Sequence, residues 1–490
     1  MFTIAKTSQQ QTFYQTNPRP LLNGKSIIVR PIKNTHALYI CSEEHWNEKL
    51  TNYIQLTNMF INLGPMPSLS SSANKDVQHI LNNQTDIIAD TLNELHSCQA
   101  ITSEQYEQMI DFQQLSVLEV NKLDFVLELS YNTEIIIQPT VTCSANEPIK
   151  KIVYFINSLL QPLIKHKIHS HSHFATGCEA IQAVENYSQQ GYLQSTTCFI
   201  KIDISKIFTE LPHNVILETL EKFLLRHVLD GHIDGTSITT IIRLTKLILD
   251  NQFCVHDNRL YRLNTGGATT SSLIINLFDI FLDTLLIEFS LILKQRKEII
   301  GRSLQQLIFT WNESDEDLIY LIHESIMNNP NHSYSPKTIY VTTGNTIDYF
   351  DAQIGHRQGV LYTKVHHHIN LEPEALPYVF DVTPTLTSLP RVLLRAAYLR
   401  AFLYCSTVIE FEMERMYIDC SFLNNNNSLA FINQTFIDLV AEFDYVIFED
   451  TSIDETTYHV LRERIQQYHQ TQRKHIQQQR HRRRRRHQLK

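Results

Sequence analysis

Side chains able to ligate a metal gather at three points of the chain. In "IHSHSHF", His169, His171 and His173 alternate, so a strand there would turn all three imidazoles to one face, as a metal site needs. No Asp or Glu stands near them, and a polar edge or loop is the plainer reading. The run His366 to His368 reads as a solvated strand end, and Asp348 with Asp351 as strand and turn residues rather than a catalytic pair. A further stretch is unusual for what it lacks. In "GRSLQQLIFTWNES", Gly301 to Ser314, apolar residues alternate as in a buried hairpin strand, yet two adjacent amides, Gln305 and Gln306, occupy the junction. An amide oxygen can approach a cation but brings no charge to it. Alone, the two glutamines read as partly exposed polar residues.

The elements that must position these groups follow from hydrophobic period. The chain has 490 residues, 43% of them hydrophobic, enough for sizeable cores in about three domains. It holds only 12 glycines, which argues for few tight turns and a helix-rich α+β chain, and makes the pair Gly266 and Gly267 stand out. "KSIIVRPI" reads as a strand and "EEHWNEKLTNYIQLTNMF" as a helix, followed by helical sequence to about Gln114. Two strands surround a turn at "SYNTE", and a helix covers "PIKKIVYFINSLLQPLIKHKI". "TTCFIKIDISKIFTELP" is a strand running into a turn at Asp203, with helices from Asn214 to about Leu249. The run "SSLIINLFDIFLDTLLIEFSLIL" is long enough to span a bilayer, but Asp279, Asp283 and Glu288 fit a helix buried in a globular domain better. Short strands with turns at "TGN" and "HRQG" lead to a helix from Pro390 to Leu423, and "NNNNS" separates it from the last helices. The stripe Leu394, Leu399, Phe402, Val408 and Phe411 reads as core packing.

A strand ending in Asp203, a glycine-bearing loop opening a helix, and the Gln305–Gln306 hairpin stand in the order of a reverse-transcriptase palm. From about Lys25 to Tyr445 the chain resembles the reverse transcriptases of Penelope-like retroelements. "KIDISKIFTELP" is similar to that family's D-I-x-x-L-Y-T-x-I-P, which makes Asp203 the first metal-binding aspartate and Phe208 the aromatic gate against ribose. "GGATTSSL" resembles G-G-A-M-G-S-P-L and keeps Gly266, Gly267, Ala268, Ser271 and Leu273; the resemblance assigns Phe208, Gly266, Gly267 and Ser271 to nucleotide and template. "GRSLQQLIFTWNES" resembles R-Y-V-D-D-V-F-x-T-W-N: Arg302, Thr310, Trp311 and Asn312 match, and the two aspartates fall on Gln305 and Gln306. "IDYFDAQIGHRQGVLYTKVHH" and the thumb-like "LLRAAYLRAFLYCSTVIEFEMER" extend the match, and "IIVRPIKNTHALYI" is weakly similar to an R-P-T-D-K segment. No GIY-YIG endonuclease segment is visible after the thumb.

The implied fold is a right hand with an antiparallel palm sheet: residues 1–25 disordered, 26–145 helical N-terminal region and fingers, 146–365 palm, 366–460 thumb and 461–490 a basic tail. The implied chemistry is RNA-directed DNA polymerisation, which needs two Mg²⁺ ions held by carboxylates. With Gln305 and Gln306 in place of two of them, only Asp203 remains as a metal ligand. The family's phosphate-facing Lys and Arg fall on Glu128 and Gln138. The expectation is therefore a pseudo-enzyme with no cofactor, Mg²⁺ entering only if activity persists. It would act as a nucleic-acid-binding scaffold, the alternatives being an active polymerase with an atypical metal site and a structural or protein-interaction remnant.

Charge sharpens the expectation about partners. The last 18 residues carry nine Lys or Arg, among them Arg482, Arg483, Arg484, Arg485 and Arg486, leaving 33 basic against 51 acidic groups in the rest. A body near −18 with a tail near +9, within a total of −9, is expected to meet RNA or DNA mainly through the tail, the dense basic run also pointing to nuclear placement, with the cytoplasm as the alternative. No membrane partner is expected. Eight scattered cysteines without a C-x-x-C pair are expected to be free thiols, and the start "MFTIAKTSQQQTF" lacks the charged-then-apolar pattern of a secretory signal.

Overall fold

A computed structural model describes residues 21–22, 25–32, 38–66, 75–110, 120–129, 135–142, 144, 149–168, 173–268, 270–328, 334, 339–367, 389–445 and 453–488. The expected disorder of residues 1–25 and the "SYNTE" turn fall almost wholly outside these, as do His169, His171 and His368. The chain divides into two compact units, Met1–Tyr39 with Thr176–Phe199 and Thr343–Lys490, and Ile40–Ala175 with Ile200–Thr342. It is a helix-rich α+β protein, and no described helix is long and apolar enough to cross a membrane.

The second unit carries the site. It opens with α1 (Glu43–Leu56), β1 (Phe60–Pro65), α2 (Lys75–Ser97) and α3 (Ser103–Met109), then strands β2 (Asn121–Leu129) and β3 (Ile135–Thr142) and helix α4 (Lys150–Lys167). Next come β4 (Cys198–Asp203), α5 (Ser205–Glu210), α6 (His213–His227), α7 (Ile238–Asp250), the hairpin β5 (Phe253–His256) and β6 (Arg259–Leu263), and α8 (Ser272–Gln295). The hairpin β7 (Ile300–Arg302) and β8 (Gln306–Trp311), α9 (Asp315–Ile322) and β9 (Tyr340–Gly344) complete it. One sheet has the order β1-β6-β5-β2-β3, the other β7-β8-β4-β9.

Strand β8 reads "QLIFTW" because both its faces are covered: Leu307, Ile308, Phe309, Thr310 and Trp311 are all buried. Its neighbour β4 buries Phe199, Ile200 and Ile202, so Asp203 is the first residue beyond its apolar run. Helix α8 is apolar nearly all round and is buried accordingly, including Asn276 and Asp279, which are made tolerable by partners. The Asn276 side chain donates to Asn157 Oδ1 at 2.7 Å.

The first helix of this unit is shorter than its sequence pattern suggests. The helix read from Glu43 through Phe60 ends at Leu56, where the Thr57 hydroxyl and N–H both turn back onto the Tyr53 carbonyl. Phe60 is instead a strand residue, because β1 pairs with β6 and sets Phe60 opposite Leu263. The hairpin β5–β6 occupies a stretch to which the sequence pattern gives no element, and it also pairs in parallel with β2 at Cys254 and Asn121.

In the other unit, strands Thr346–Tyr349, Ala352–Arg357 and Val360–Val365 form an antiparallel meander whose "HRQG" turn holds Gln358 and Gly359 at positive φ. The helix expected from Pro390 to Leu423 is two, Leu389–Tyr404 and Val408–Asn424. The break is specified by hydrogen bonds: Thr363 Oγ1 donates to the Tyr404 carbonyl at 2.6 Å, Ser406 N–H to the Thr363 carbonyl at 2.9 Å, and Thr407 caps the second helix. Phe402, Phe411, Phe436 and Tyr458 gather as a ring cluster at the centre. Helix Glu455–Gln488 is anchored there by Tyr458, Leu461 and Ile465 and by Arg462, which donates to Glu185 and to the Phe402 carbonyl. All seven described cysteines are free; Cys143 lies outside the described residues.

Candidate functional site

The edge of the sheet where β4 ends is closed by one hydrogen bond of consequence. Ile204 N–H, the residue after Asp203, donates to the Gln305 carbonyl at 2.8 Å. Asp203 and the hairpin tip are thereby brought together. The tip itself is built by Ser303, whose Oγ accepts from Gln305 N–H at 3.1 Å and Gln306 N–H at 3.0 Å while its N–H donates to the Gln306 carbonyl at 2.7 Å. A short polar residue that can satisfy several backbone groups is what so tight a connection needs. Sequence reading passed over Ser303.

The donors at this edge are a carboxylate and two amides. Asp203 Oδ1 already accepts the Ser205 N–H at 2.8 Å, starting α5. The carbonyl oxygen of the Gln306 side chain is buried and makes no hydrogen bond. Among the described residues no three His, Cys, Asp or Glu side chains come together as a metal group. Magnesium takes hard, charged oxygen ligands, and a pair of such ions carries four positive charges. One carboxylate and two neutral amides do not fit that pair.

Gly266 belongs to the same end of the unit. Its φ is +65°, and a Cβ built on it would lie 2.6 Å from the Phe208 carbonyl, so only glycine fits without strain. The loop is laced to the segment just after Asp203: Gly266 N–H donates to the Leu211 carbonyl at 2.9 Å, and Thr265 Oγ1 to the Thr209 carbonyl at 2.7 Å. His213 Nε2 lies 3.0 Å from the Gly266 carbonyl, and burial holds its imidazole below the ordinary histidine range, the hydrogen bond opposing. Gly267 faces Ile274, and Ala268 N–H is held by Gln252 Oε1 at 2.9 Å. Phe208 stacks on Phe278 with ring centroids 4.1 Å apart, and Ser271 stands at the start of α8.

The residues matching the hairpin motif have structural partners. Arg302 donates from Nη1 to Asp279 Oδ1 at 2.9 Å and from Nη2 to the Asp279 carbonyl at 3.2 Å, both side chains being 4% exposed. One turn on, burial first and then the charge of Asp279 push the Asp283 carboxyl up, against the pull of Arg302. Thr310 and Asn312 both donate to buried Glu298, at 2.6 and 2.9 Å. Trp311 Nε1 donates to the Ser314 carbonyl at 2.9 Å, with Arg296 over its ring. Glu298 and Gln252 went unnoticed in the sequence, where nothing but a lone polar residue in an apolar setting marks them. Asp279 stands out in the sequence as an acid inside an apolar helix, but its buried partner Arg302 becomes visible only in the fold.

The other candidate groups are elsewhere in the chain. Of the alternating histidines only His173 is described, bridging to Arg302 as a strand residue. His366 and His367 are not solvated: the first lies 3.0 Å from Asp348 and the second 2.6 Å from buried Glu414, because each imidazole closes a strand end against a carboxylate. Asp351 accepts from Arg400 at 3.1 Å and Tyr404 at 2.9 Å, and Asp348 from Gln353. Gln138 is half-buried opposite Val126, and Glu128 pairs with Ile136 on the same hairpin. Arg482 to Arg486 lie on the helix that runs to Gln488.

Comparison with known protein families finds no match, and comparison with curated proteins finds none either. Among solved structures the chain is similar to apo telomerase from Candida tropicalis, at 12% identity and a TM-score of 0.46, over 85% of this chain and 66% of that one. It is similar to telomerase from Candida albicans in complex with a fragment of telomeric RNA, at 11% identity and a TM-score of 0.45, over 90% and 73%. The RNA-dependent RNA polymerase of a human picobirnavirus is a third, at 10% identity and a TM-score of 0.40, over 67% and 60%. Likenesses this loose carry no argument about what the chain does, which rests on its own residues.

Proposed function

We propose that this chain is a reverse-transcriptase scaffold of the Penelope-like type in which RNA-directed DNA polymerase chemistry has been lost and nucleic-acid binding retained. The observation that supports this is the Ile204 to Gln305 hydrogen bond, which sets Asp203 beside the position where the resemblance expects two more aspartates and glutamines stand instead. Losing one preorganised catalytic group commonly costs ~10² to 10³ in rate, and here two change at once. The residues that match the motif, Arg302, Thr310, Trp311 and Asn312, are those that build the hairpin; the ones that differ are those that would carry metal-binding charge.

Binding falls to the end of the C-terminal helix, because the 472 residues before Arg473 carry 33 basic against 51 acidic groups and repel phosphates. The first turns of that helix are anchored in their unit, and its backbone carries eight of the nine basic residues from Arg473 onward. The test is duplex and single-strand binding against salt for the full chain and for one ending at Gln472. Engaging about six tail charges gives a slope near −5 in log K against log salt, at about −0.9 per phosphate on duplex DNA, with little sequence preference. The shortened chain should lose both affinity and slope. If it keeps them, a basic groove on the body does the binding.

A further inference from the structure

A cavity of about 180 Å³ lies within the site-bearing unit, between the start of α4, the end of α7 and the start of α8. Two of its lining side chains have buried polar atoms with nothing to bond. Ser271, 8% exposed, occupies the N-cap position of 24-residue α8, yet its hydroxyl makes no capping bond and has no partner. Gln252, 3% exposed, gives its Oε1 to Ala268 N–H, and its Nε2 has no partner. Each such group left unmade costs about 1–3 kcal/mol, so two in one cavity ask for an acceptor that both can reach. The cavity greatly exceeds the roughly 10–15 Å³ that one water needs.

The remaining lining says which acceptor. Lys150 lines the cavity, the positive end of the α8 dipole opens on it, and no acidic side chain is among its described lining residues. Donors, a cation and a helix N-terminus call for an oxyanion. Val153, Tyr154, Ile248 and Ile274 supply an apolar wall beside it, which suits an anion carried on a compact apolar or ring-like body. We infer that this cavity is a binding site for the phosphate group of an organic phosphate ester, held by Ser271, Gln252 and Lys150. Ser271 is among the residues that the resemblance gives to nucleotide and template, so the inference deepens that binding reading, while Asp203 and the hairpin, and with them the fate of the polymerase chemistry, take no part in it. The phosphate could belong to a free small molecule or to the backbone of a bound strand.

The experiment uses the full chain, with phenyl phosphate and a 12-nucleotide oligothymidylate as probes, against Ser271→Ala and Gln252→Glu. The glutamate keeps the oxygen that holds Ala268 N–H and puts a negative charge where the anion would sit. One hydrogen bond to a charged group is worth enough that each variant should weaken phenyl phosphate about tenfold or more by calorimetry. A thermal melt without ligand separates binding from folding: Ser271→Ala removes an unsatisfied hydroxyl and should melt at the same temperature or higher. If oligothymidylate weakens in parallel, the strand's own phosphate is the occupant; if it is unaffected, the occupant is a free ester, and either result supports the site. Equal binding of both probes by all three proteins, no binding of either, or a Ser271→Ala chain that melts several degrees lower would overturn it.

Discussion

Arg302 is a buried cation whose partner Asp279 is equally buried, and the balance between them is asymmetric. Desolvating both charges roughly cancels their attraction, so exchanging the pair for apolar residues of similar volume should be near neutral, whereas removing one partner strands the other. Asp279→Ala is expected to lower unfolding free energy by about 3–5 kcal/mol in denaturant titration, and Asp279→Leu with Arg302→Met by clearly less. A loss from the double variant as large as from the single would show that the pair itself is the source of stability. At the hairpin tip the same electrostatics run in reverse. Gln305→Asp with Gln306→Asp sets two new carboxylates beside Asp203, and their repulsion should make the melting temperature rise with added Mn²⁺ as it does not for the unaltered chain. Primer extension by that variant should stay near background, because Glu128 and Gln138 still stand where the resemblance expects phosphate-facing cations. Recovery by the reversal alone would mean that these two positions matter little.

At the scale of elements, the loop between β6 and α8 is the most constrained piece of the unit. Gly266→Ala must both hold φ near +65° and push aside the Phe208 carbonyl, and should cost about 1–3 kcal/mol or more. The loop also carries a pH dependence. His213 is partly buried, and its pKa is held below the unfolded value near 6.5, so the unfolded chain binds more protons as pH falls past that value and stability is lost with acidification. His213→Gln should flatten that slope between about pH 6.5 and 5 in thermal melts; an unchanged slope would place the titration elsewhere. Much of this level was legible in the sequence. Strand β4, helices α4 and α8 and the hairpin β7–β8 follow from period, since each buries its own stripe or alternation. What escaped was set by distant partners: Phe60 is a strand residue because Leu263 lies opposite it, and the helix break after Tyr404 exists because Thr363 and Ser406 tie it to a strand. Ser303, Gln252 and Glu298 escaped for the same reason, a polar residue's partner being invisible until the chain is folded.

Across the whole molecule, charge is separated as composition alone announced, an acidic body followed by a last 18 residues that hold nine basic groups, eight of them on the final helix. Such a chain can hold a polyanion without a basic channel, and its binding should fall steeply with salt. The candidate site was legible in outline, because Asp203 and the glutamine pair stand at the ends of strongly apolar strands; that the matching hairpin residues serve the fold was not, since Asp279 and Glu298 lie outside the motif. The proposed loss of polymerase chemistry can be measured by extension of a DNA primer annealed to an RNA template, with the unaltered full chain, deoxynucleotides and either Mg²⁺ or Mn²⁺. No product above background is expected with either ion, at concentrations where the chain demonstrably binds the duplex. Robust extension with either ion, by the unaltered protein, would contradict it.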